Sequence, residues 1–257
     1  MRRGKLSTNG IFHVYNRGAD KREIFCDSRD YLRFVHGLYE FNDENPAENI
    51  TYGFIKNPVK ISLVDGRGVP SIVPKHPREM LVDVLAFALM PNHFHLLLKQ
   101  RKENGVTKFM QKLGAGYALY FNEKNQRSGV LFQGRFKAVE VRSDEYLLHL
   151  PYYIHANPLD LNVNGINEIE FLNSYRWSSH MDYCGWRNFP SVTQRDFLLK
   201  FFDGEKNYKK SITKWVKEKS RNVEKMRTVA IEEFVILISL VAFGYQLPGA
   251  DYLESLL

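Results

Sequence analysis

The segment Met90-Pro91-Asn92-His93-Phe94-His95-Leu96-Leu97-Leu98 constrains the fold and the chemistry of this chain more than any other stretch. Two histidines flank one apolar residue, directly after a turn-forming Pro-Asn pair. Residues i and i+2 of a β-strand point to the same face, so His93 and His95 would project side by side while Phe94 packs into the core. Neutral imidazoles are common metal ligands. The pair indicates half of a divalent-metal site, although two strand histidines can equally form a hydrogen-bonded polar face.

A second informative segment is Tyr152-Tyr153-Ile154-His155-Ala156-Asn157-Pro158. It predicts the end of a helix, because Pro158 cannot donate the backbone hydrogen bond that continuation needs. Tyr153 and Asn157 would then lie on one helix face, one turn apart. A phenol can act as a nucleophile, and an amide oxygen can complete a metal site. Paired tyrosines near helix ends are usually packing residues, and Tyr152 is the rival nucleophile.

Several motifs in a fixed order indicate a family. They resemble those of the HUH single-tyrosine transposases, and most of all the branch of REP-associated tyrosine transposases. The resemblance runs from about residue 10 to residue 185. Its motifs are Phe12-His13-Val14-Tyr15-Asn16-Arg17-Gly18, Ile24-Phe25, Asp30-Tyr31, MPNHFHLLL, Tyr120-Phe121-Asn122, Phe132-Gln133-Gly134-Arg135, YIHANP and Trp177-Ser178-Ser179.

The resemblance implies an activity and a set of site residues. It implies a metal-dependent endonuclease and strand transferase, a transposase acting on single-stranded or hairpin DNA through a 5′-phosphotyrosine. His93 and His95 would bind Mg²⁺ or Mn²⁺, Asn157 would be the third ligand, and Tyr153 would be the nucleophile. Some relatives use Gln or another residue for that third ligand. Two alternatives stay open: a replication initiator or relaxase with the same site, and a domesticated nucleic-acid-binding protein that no longer cuts.

Positive charge is concentrated in two stretches of a chain whose net charge is +7. Residues 101–142 and residues 205–227 each contain nine Lys or Arg against three Glu. Clustered cationic charge attracts polyanions, which favours a nucleic-acid partner for the first stretch and leaves the second equally compatible with a solvated helix face. Arg17, Arg135 and Lys137 are the candidates for contacting DNA phosphates, and each is nearly as compatible with a solvated surface role.

Composition bounds the setting of the chain without identifying it. Two cysteines without CxxC spacing indicate neither a disulfide scaffold nor a thiolate metal site, so a reduced, cytoplasmic setting is expected. The basic N-terminus lacks the apolar core of a signal peptide, and the longest apolar run, 234–243, is too short to span a bilayer. We expect no membrane association, and either a monomer or a homodimer.

The order of the predicted elements is β-α-β-β-α-β, followed by a helix that contains Tyr153. This order indicates an α+β, ferredoxin/RRM-like sandwich with a central antiparallel sheet, helices on one face and a C-terminal helical extension. Residues 1–190 would form the palm-like catalytic domain, with an insertion at about 42–77, and residues 191–257 the extension. The predicted strands are 11–16, 81–89, 94–99 and 136–141, and the predicted helices are 27–41, 106–122, 143–157, 192–202, 208–218 and 229–245.

Overall fold

The computed structural model describes residues 6–46 and 78–218. The chain forms four strands, two helices that connect them and a series of C-terminal helices, and a 3₁₀ turn follows the third long helix. The elements are β1 Ile11–Arg17, α1 Ser28–Glu40, β2 Val82–Met90, β3 His93–Gln100, α2 Gly105–Lys124, β4 Lys137–Val141, α3 Asp144–Ala156, a 3₁₀ helix Asn157–Leu161, α4 Glu168–Ser174, α5 His180–Tyr183, α6 Asp196–Phe201 and α7 Glu205–Lys217.

The four strands form one antiparallel sheet in the order β2-β3-β1-β4. β2 and β3 are joined by the tight Pro91-Asn92 turn, and both are almost entirely buried. This strand order, with α1 and α2 as the two crossovers, is that of the ferredoxin-like sandwich. The predicted fold class is therefore confirmed.

One face of the sheet packs against α1 and α2. Phe12 and Val14 of β1 share a core with Phe94 of β3 and with Phe34 and Phe109 of the two helices. Asp27 caps α1 in a capping box with Asp30, which fixes where that helix begins. Alternation along β1 and β3 leaves the intervening side chains on the opposite face.

The opposite face of the sheet is partly covered by α3 and the elements that follow it. Leu147, Leu150 and Ile154 of α3 share a second core with Leu97 and Ala88 of the sheet. The C-terminal helices join the same core through a set of buried side chains, and the polar residues described below lie on the same face of the sheet. That set is Leu172, Tyr183, Leu198, Phe202, Tyr208, Ile212, Trp215 and Val216.

The Trp177-Ser178-Ser179 segment closes the structure beside β2. The Leu89 N–H donates to the Trp177 carbonyl, and the Ser179 N–H donates to the Phe87 carbonyl. The Trp177 ring stacks on Tyr31 with 4.6 Å between ring centres. The segment therefore packs against the core.

Most of the predicted elements match the described ones to within a few residues. The 208–218 helix begins earlier, at Glu205, and the 192–202 helix is limited to Asp196–Phe201. Within α2, Gly116 allows the close approach of the Phe41 ring, while Gly114 faces open space. The proposed 229–245 helix and most of the 42–77 insertion lie outside the described residues, and the boundary near residue 190 stays a prediction.

No helix within the two described ranges is both long and apolar enough to cross a bilayer. This finding concerns residues 6–46 and 78–218 alone.

Candidate active site

The face of the sheet that packs against α3 presents three polar residues from β1 beside the two histidines of β3. Tyr15 pairs directly with His95 and Arg17 pairs directly with His93 in the β1–β3 register, while His13 lies two residues before Tyr15. Residues that are directly opposite each other in an antiparallel pair share a face. The His93 and His95 ring centres are 5.3 Å apart with the planes at 83°. The two imidazoles therefore lie side by side on one face of β3, as the sequence predicts.

Helix α3 places Tyr153 over these imidazoles. Ser143 begins the helix by accepting a hydrogen bond from the Tyr146 N–H, and the helix ends at Ala156, before Pro158. The Tyr153 ring meets His95 edge-on at 5.8 Å between ring centres, and it meets His13 in the same way at 6.1 Å. Tyr153 is half-buried. A phenol from one element and imidazoles from another therefore converge on one site.

Each of the two histidines has its Nδ1 atom engaged by a neighbour. His93 Nδ1 lies 2.6 Å from the Asn92 side-chain oxygen, and His95 Nδ1 lies 2.8 Å from His13 Nε2. The His13 and His95 rings are also stacked, with 5.0 Å between their centres. Neither Nε2 atom of the β3 pair takes part in a hydrogen bond within the part of the chain that the structure describes.

Burial keeps these imidazoles neutral. It lowers the pKa of His93 to about 4, with a smaller contribution from the Arg17 guanidinium and an opposing one from the Asp160 carboxylate. Burial also lowers the pKa of His95 well below its ordinary value, and the neighbouring His13, His93 and Arg17 lower it further. Unprotonated imidazole is the form that binds a cation, and burial favours that form for both rings at neutral pH.

The same burial predicts acid sensitivity of the fold. Burial lowers the pKa of His13 and of His180 from 6.5 to about 4. The unfolded chain then binds protons more readily than the folded chain, so stability is full above pH 6.5 and is lost as the pH falls towards 4. We expect each of these two imidazoles to cost about 2 kcal/mol of unfolding free energy between pH 7 and pH 5. Urea titrations at both pH values measure the change, and equal stabilities would contradict it.

The neighbours of Tyr153 on α3 point into the core. Tyr152 packs on Phe202 and Tyr208 at 5.1 and 5.5 Å between ring centres, and burial raises its pKa to about 12. Both ring nitrogens of His155 are engaged, by the Tyr208 hydroxyl and the Ser179 hydroxyl, each at 2.6 Å. Tyr152 and His155 therefore anchor the helix on the side away from the candidate site.

Asn157 follows Tyr153 by one helical turn. Its side-chain nitrogen donates to the Tyr153 carbonyl at 2.8 Å, which leaves its side-chain oxygen free of that contact. Within residues 6–46 and 78–218, no group of three His, Cys, Asp or Glu side chains is arranged to hold a metal ion. Two imidazoles and one amide oxygen are nevertheless a nitrogen and oxygen donor set of the kind that a hard divalent cation accepts.

The three candidate phosphate-binding cations occupy different places. Arg17 lies beside His93, and Lys137 pairs with Tyr15 on the β4 side of the same face. Arg135 instead lines a cavity of about 550 Å³ between α2 and the loop that precedes β4. The structure thus brings Arg17 and Lys137 to the candidate site and sets Arg135 apart from it.

Most of the basic stretch 101–142 is neutralised within the protein. Lys102 and Lys108 both bind Glu44, at 2.7 and 2.6 Å, and Lys124 binds Asp30 at 2.6 Å. Among its nine cations, Arg135 and Lys137 have no side-chain partner within the described residues. The others pair with carboxylates or donate to oxygen atoms, and they are Arg101, Lys102, Lys108, Lys112, Lys124, Arg127 and Arg142. The attraction for a polyanion is therefore weaker than the count of charges predicts.

Residues 67–157 match the family model described as IS200-like transposase. The matched stretch contains His93, His95, Tyr153 and Asn157. This match agrees with the resemblance to tyrosine transposases that the motifs indicated.

Among solved structures, this chain resembles a REP-associated tyrosine transposase bound to a REP hairpin. The two are 12% identical with a TM-score of 0.45, over 75% of this chain and 88% of the other. No curated protein matches this chain.

Sequence reasoning missed two residues of the candidate site. In the sequence, His13 is only one residue of the first strand motif, and Asn92 indicates only a turn. Alternation along β1 places His13 on the same face as Tyr15 and Arg17, but the sequence alone does not say that β1 pairs with β3.

Proposed function

We propose that this chain is a transposase that cleaves and rejoins single-stranded or hairpin DNA through a 5′-phosphotyrosine at Tyr153, with the help of a divalent cation. The observation that supports this most strongly is the position of the Tyr153 ring, 5.8 Å from the ring of His95 on the face that also holds His93. The relation to the IS200-like transposases favours the same conclusion.

The covalent step needs a nucleophile in reach of a phosphodiester. The Tyr153 oxygen would form a bond to phosphorus while the bond from phosphorus to the 3′ oxygen breaks. The phenol proton passes to solvent, and the departing 3′ oxygen takes up a proton to become a free 3′-hydroxyl. The phosphotyrosine keeps the energy of the broken bond, so a second 3′-hydroxyl can reverse the step without ATP.

The residues that would hold the cation are His93, His95 and Asn157. Mg²⁺ or Mn²⁺ bound there would neutralise the charge that develops on the phosphate oxygens. The two ring centres, 5.3 Å apart, can both reach one ion, because a metal–nitrogen bond is about 2 Å long. Burial of the pair keeps both rings unprotonated at neutral pH, and α3 holds the Asn157 amide at its end.

Arg17 and Lys137 would position the DNA strand. Both cations border the face that holds Tyr15 and the histidines, and neither has a side-chain partner within the described residues. Arg17 is close enough to lower the pKa of His93. A cation beside the histidines would bind a phosphate of the strand, and the half-buried ring of Tyr15 would offer a surface on which an unpaired base can stack.

The proposal is tested by incubating the protein with labelled single-stranded hairpin DNA and Mn²⁺ or Mg²⁺, then separating the products on a denaturing gel. We expect a protein–DNA adduct that needs the metal and disappears when a chelator is added first. A replication initiator or relaxase would form the same adduct, and would rejoin the nicked strand of a supercoiled plasmid instead of transferring a hairpin-flanked end. Hairpin binding with no adduct under any metal condition would favour the non-cutting alternative.

The exposed face of α7 is a further candidate for DNA contact. Its buried side carries Tyr208, Ile212 and Trp215, and its lysines are all exposed. In contrast to the stretch 101–142, no ion pair to these lysines is found within the described residues. Lys209 lies over the Trp186 ring, and the other lysines are Lys206, Lys210, Lys214 and Lys217.

We expect the triple variant Lys206→Gln, Lys210→Gln, Lys214→Gln to bind hairpin DNA more weakly and with less salt dependence. Each phosphate contact that is lost should lower the slope of log K against log salt by about 0.9 on duplex DNA. The control is the triple variant Arg101→Gln, Lys102→Gln, Lys108→Gln, which removes the same charge from paired cations. Equal slopes for the two variants would mean that only net charge matters.

A further inference from the structure

Asn92 determines which nitrogen of His93 bears the proton. The Asn92 side-chain nitrogen donates to the Lys21 carbonyl at 3.3 Å, so its oxygen is the atom that faces His93 Nδ1, 2.6 Å away. An amide oxygen only accepts hydrogen bonds. His93 therefore has its proton on Nδ1, and the Nε2 lone pair is free.

His13 faces the Nδ1 atom of His95, as Asn92 faces that of His93. The two rings are buried, and His13 Nε2 lies 2.8 Å from His95 Nδ1. A hydrogen bond between neutral imidazoles needs one donor and one acceptor, so two arrangements are open. In the first, His95 Nδ1 donates and its Nε2 lone pair is free. In the second, His95 Nε2 bears the proton and could not bind a cation.

We propose that Asn92 and His13 are positioning residues, which accept the Nδ1 protons of His93 and His95 and so direct both Nε2 lone pairs to the cation of the proposed site. This inference rests on the proposed metal-dependent function. Histidines that bind metals usually donate a hydrogen bond from their other ring nitrogen to a fixed acceptor, which sets the tautomer and the ring orientation. Asn92 of the turn before His93 and His13 of the neighbouring strand β1 would provide that acceptor, one for each ligand.

His13 also contacts the nucleophile. Its ring lies edge-on to Tyr153 at 6.1 Å and stacks on His95 at 5.0 Å. One side chain therefore touches both the proposed cation ligand and the proposed nucleophile. Replacement of the His13 imidazole should therefore change both the orientation of the His95 ring and the position of the Tyr153 ring.

The tautomers can be read without metal by long-range ¹H–¹⁵N correlation NMR on the full chain labelled at histidine. We expect Nδ1 to bear the proton in both His93 and His95 of the wild type. In Asn92→Ala and His13→Phe, the affected imidazole should show a mixture of the two tautomers. A wild-type His95 with its proton on Nε2 would overturn the assignment for His13.

The second readout is the affinity for Mn²⁺, measured by electron paramagnetic resonance. We expect Asn92→Ala and His13→Phe to weaken Mn²⁺ binding by roughly 10–100-fold, the range for lost partners of metal-binding histidines. Asn92→Asp and His13→Gln keep an accepting oxygen and should stay close to the wild type. Wild-type affinity in both Asn92→Ala and His13→Phe would overturn the inference.

The two readouts separate this inference from the proposed function. If the wild type binds no Mn²⁺, the metal-dependent function fails, and the NMR spectra still decide whether Asn92 and His13 set the tautomers. Because His13 is buried, its replacement can also lower the stability of the fold. Thermal unfolding of His13→Phe and His13→Gln measures that effect separately. Asn92 lies in a half-buried turn outside both hydrophobic cores and provides a variant that leaves the cores intact.

Discussion

Replacement of Tyr153 by phenylalanine is expected to abolish the covalent protein–DNA adduct and to leave hairpin binding unchanged. The substitution removes only the hydroxyl oxygen that would attack phosphorus, and it keeps the ring that packs edge-on against His95 and His13. Without that oxygen the protein has no atom at this position to form the phosphotyrosine. Adduct formation on a denaturing gel and hairpin affinity by fluorescence anisotropy measure the two effects separately.

Tyr152→Phe is the matched control for this prediction. Tyr152 is the adjacent residue of the same helix, but its ring lies among Phe202 and Tyr208 in the core, and burial raises its pKa to about 12. We expect this variant to form the adduct as the wild type does. An adduct in Tyr153→Phe that is lost in Tyr152→Phe would reassign the nucleophile.

The second large effect is expected when either histidine of β3 is replaced by alanine. His93→Ala or His95→Ala removes one of two imidazoles that would hold the cation, and the stabilisation that a bound cation gives to developing charge amounts to several kcal/mol. We therefore expect adduct formation to slow by on the order of 10³-fold. Measurement of the rate over a range of Mn²⁺ concentrations shows whether excess metal restores part of the loss.

His36→Ala serves as the control for the histidine variants. His36 lies on α1 and contacts Glu40 at 3.2 Å, on the other side of the sheet from Tyr153. It should cleave at the wild-type rate. A His93→Ala, His95→Ala double variant that still forms the adduct at the wild-type rate would contradict a role for the pair in catalysis.

The sequence was sufficient to predict the histidine pair and the course of its strand. Period-two alternation places His93 and His95 on one face whatever the rest of the fold does, and Pro91-Asn92 requires a turn before them. The end of α3 was predicted to within one residue, because Pro158 has no N–H to continue the helical hydrogen bonds, although Pro151 lies inside the same helix without ending it. These are local consequences of residue type.

The partners of those residues were not predictable in the same way. His13 contacts His95 because β1 lies between β3 and β4, and strand order is a property of the whole sheet. The pairing of Lys102 and Lys108 with Glu44 depends on packing between α2 and the chain after α1, and it removes charge that a linear count assigns to DNA binding. Tyr152 and Tyr153 are adjacent residues of the same type, so only the packing of α3 decides that Tyr152 is buried and Tyr153 is half-buried.

The most direct test of the central claim is to identify the residue that becomes linked to DNA in the wild-type protein. The trapped adduct is digested with nuclease and trypsin, and the peptide from Ser143 to Arg176 is sequenced by tandem mass spectrometry. That peptide contains Tyr146, Tyr152, Tyr153 and Tyr175, so the fragment ions must locate the nucleotide mass on one of the four. The account predicts that the nucleotide is on Tyr153, and a nucleotide on any other residue would contradict it.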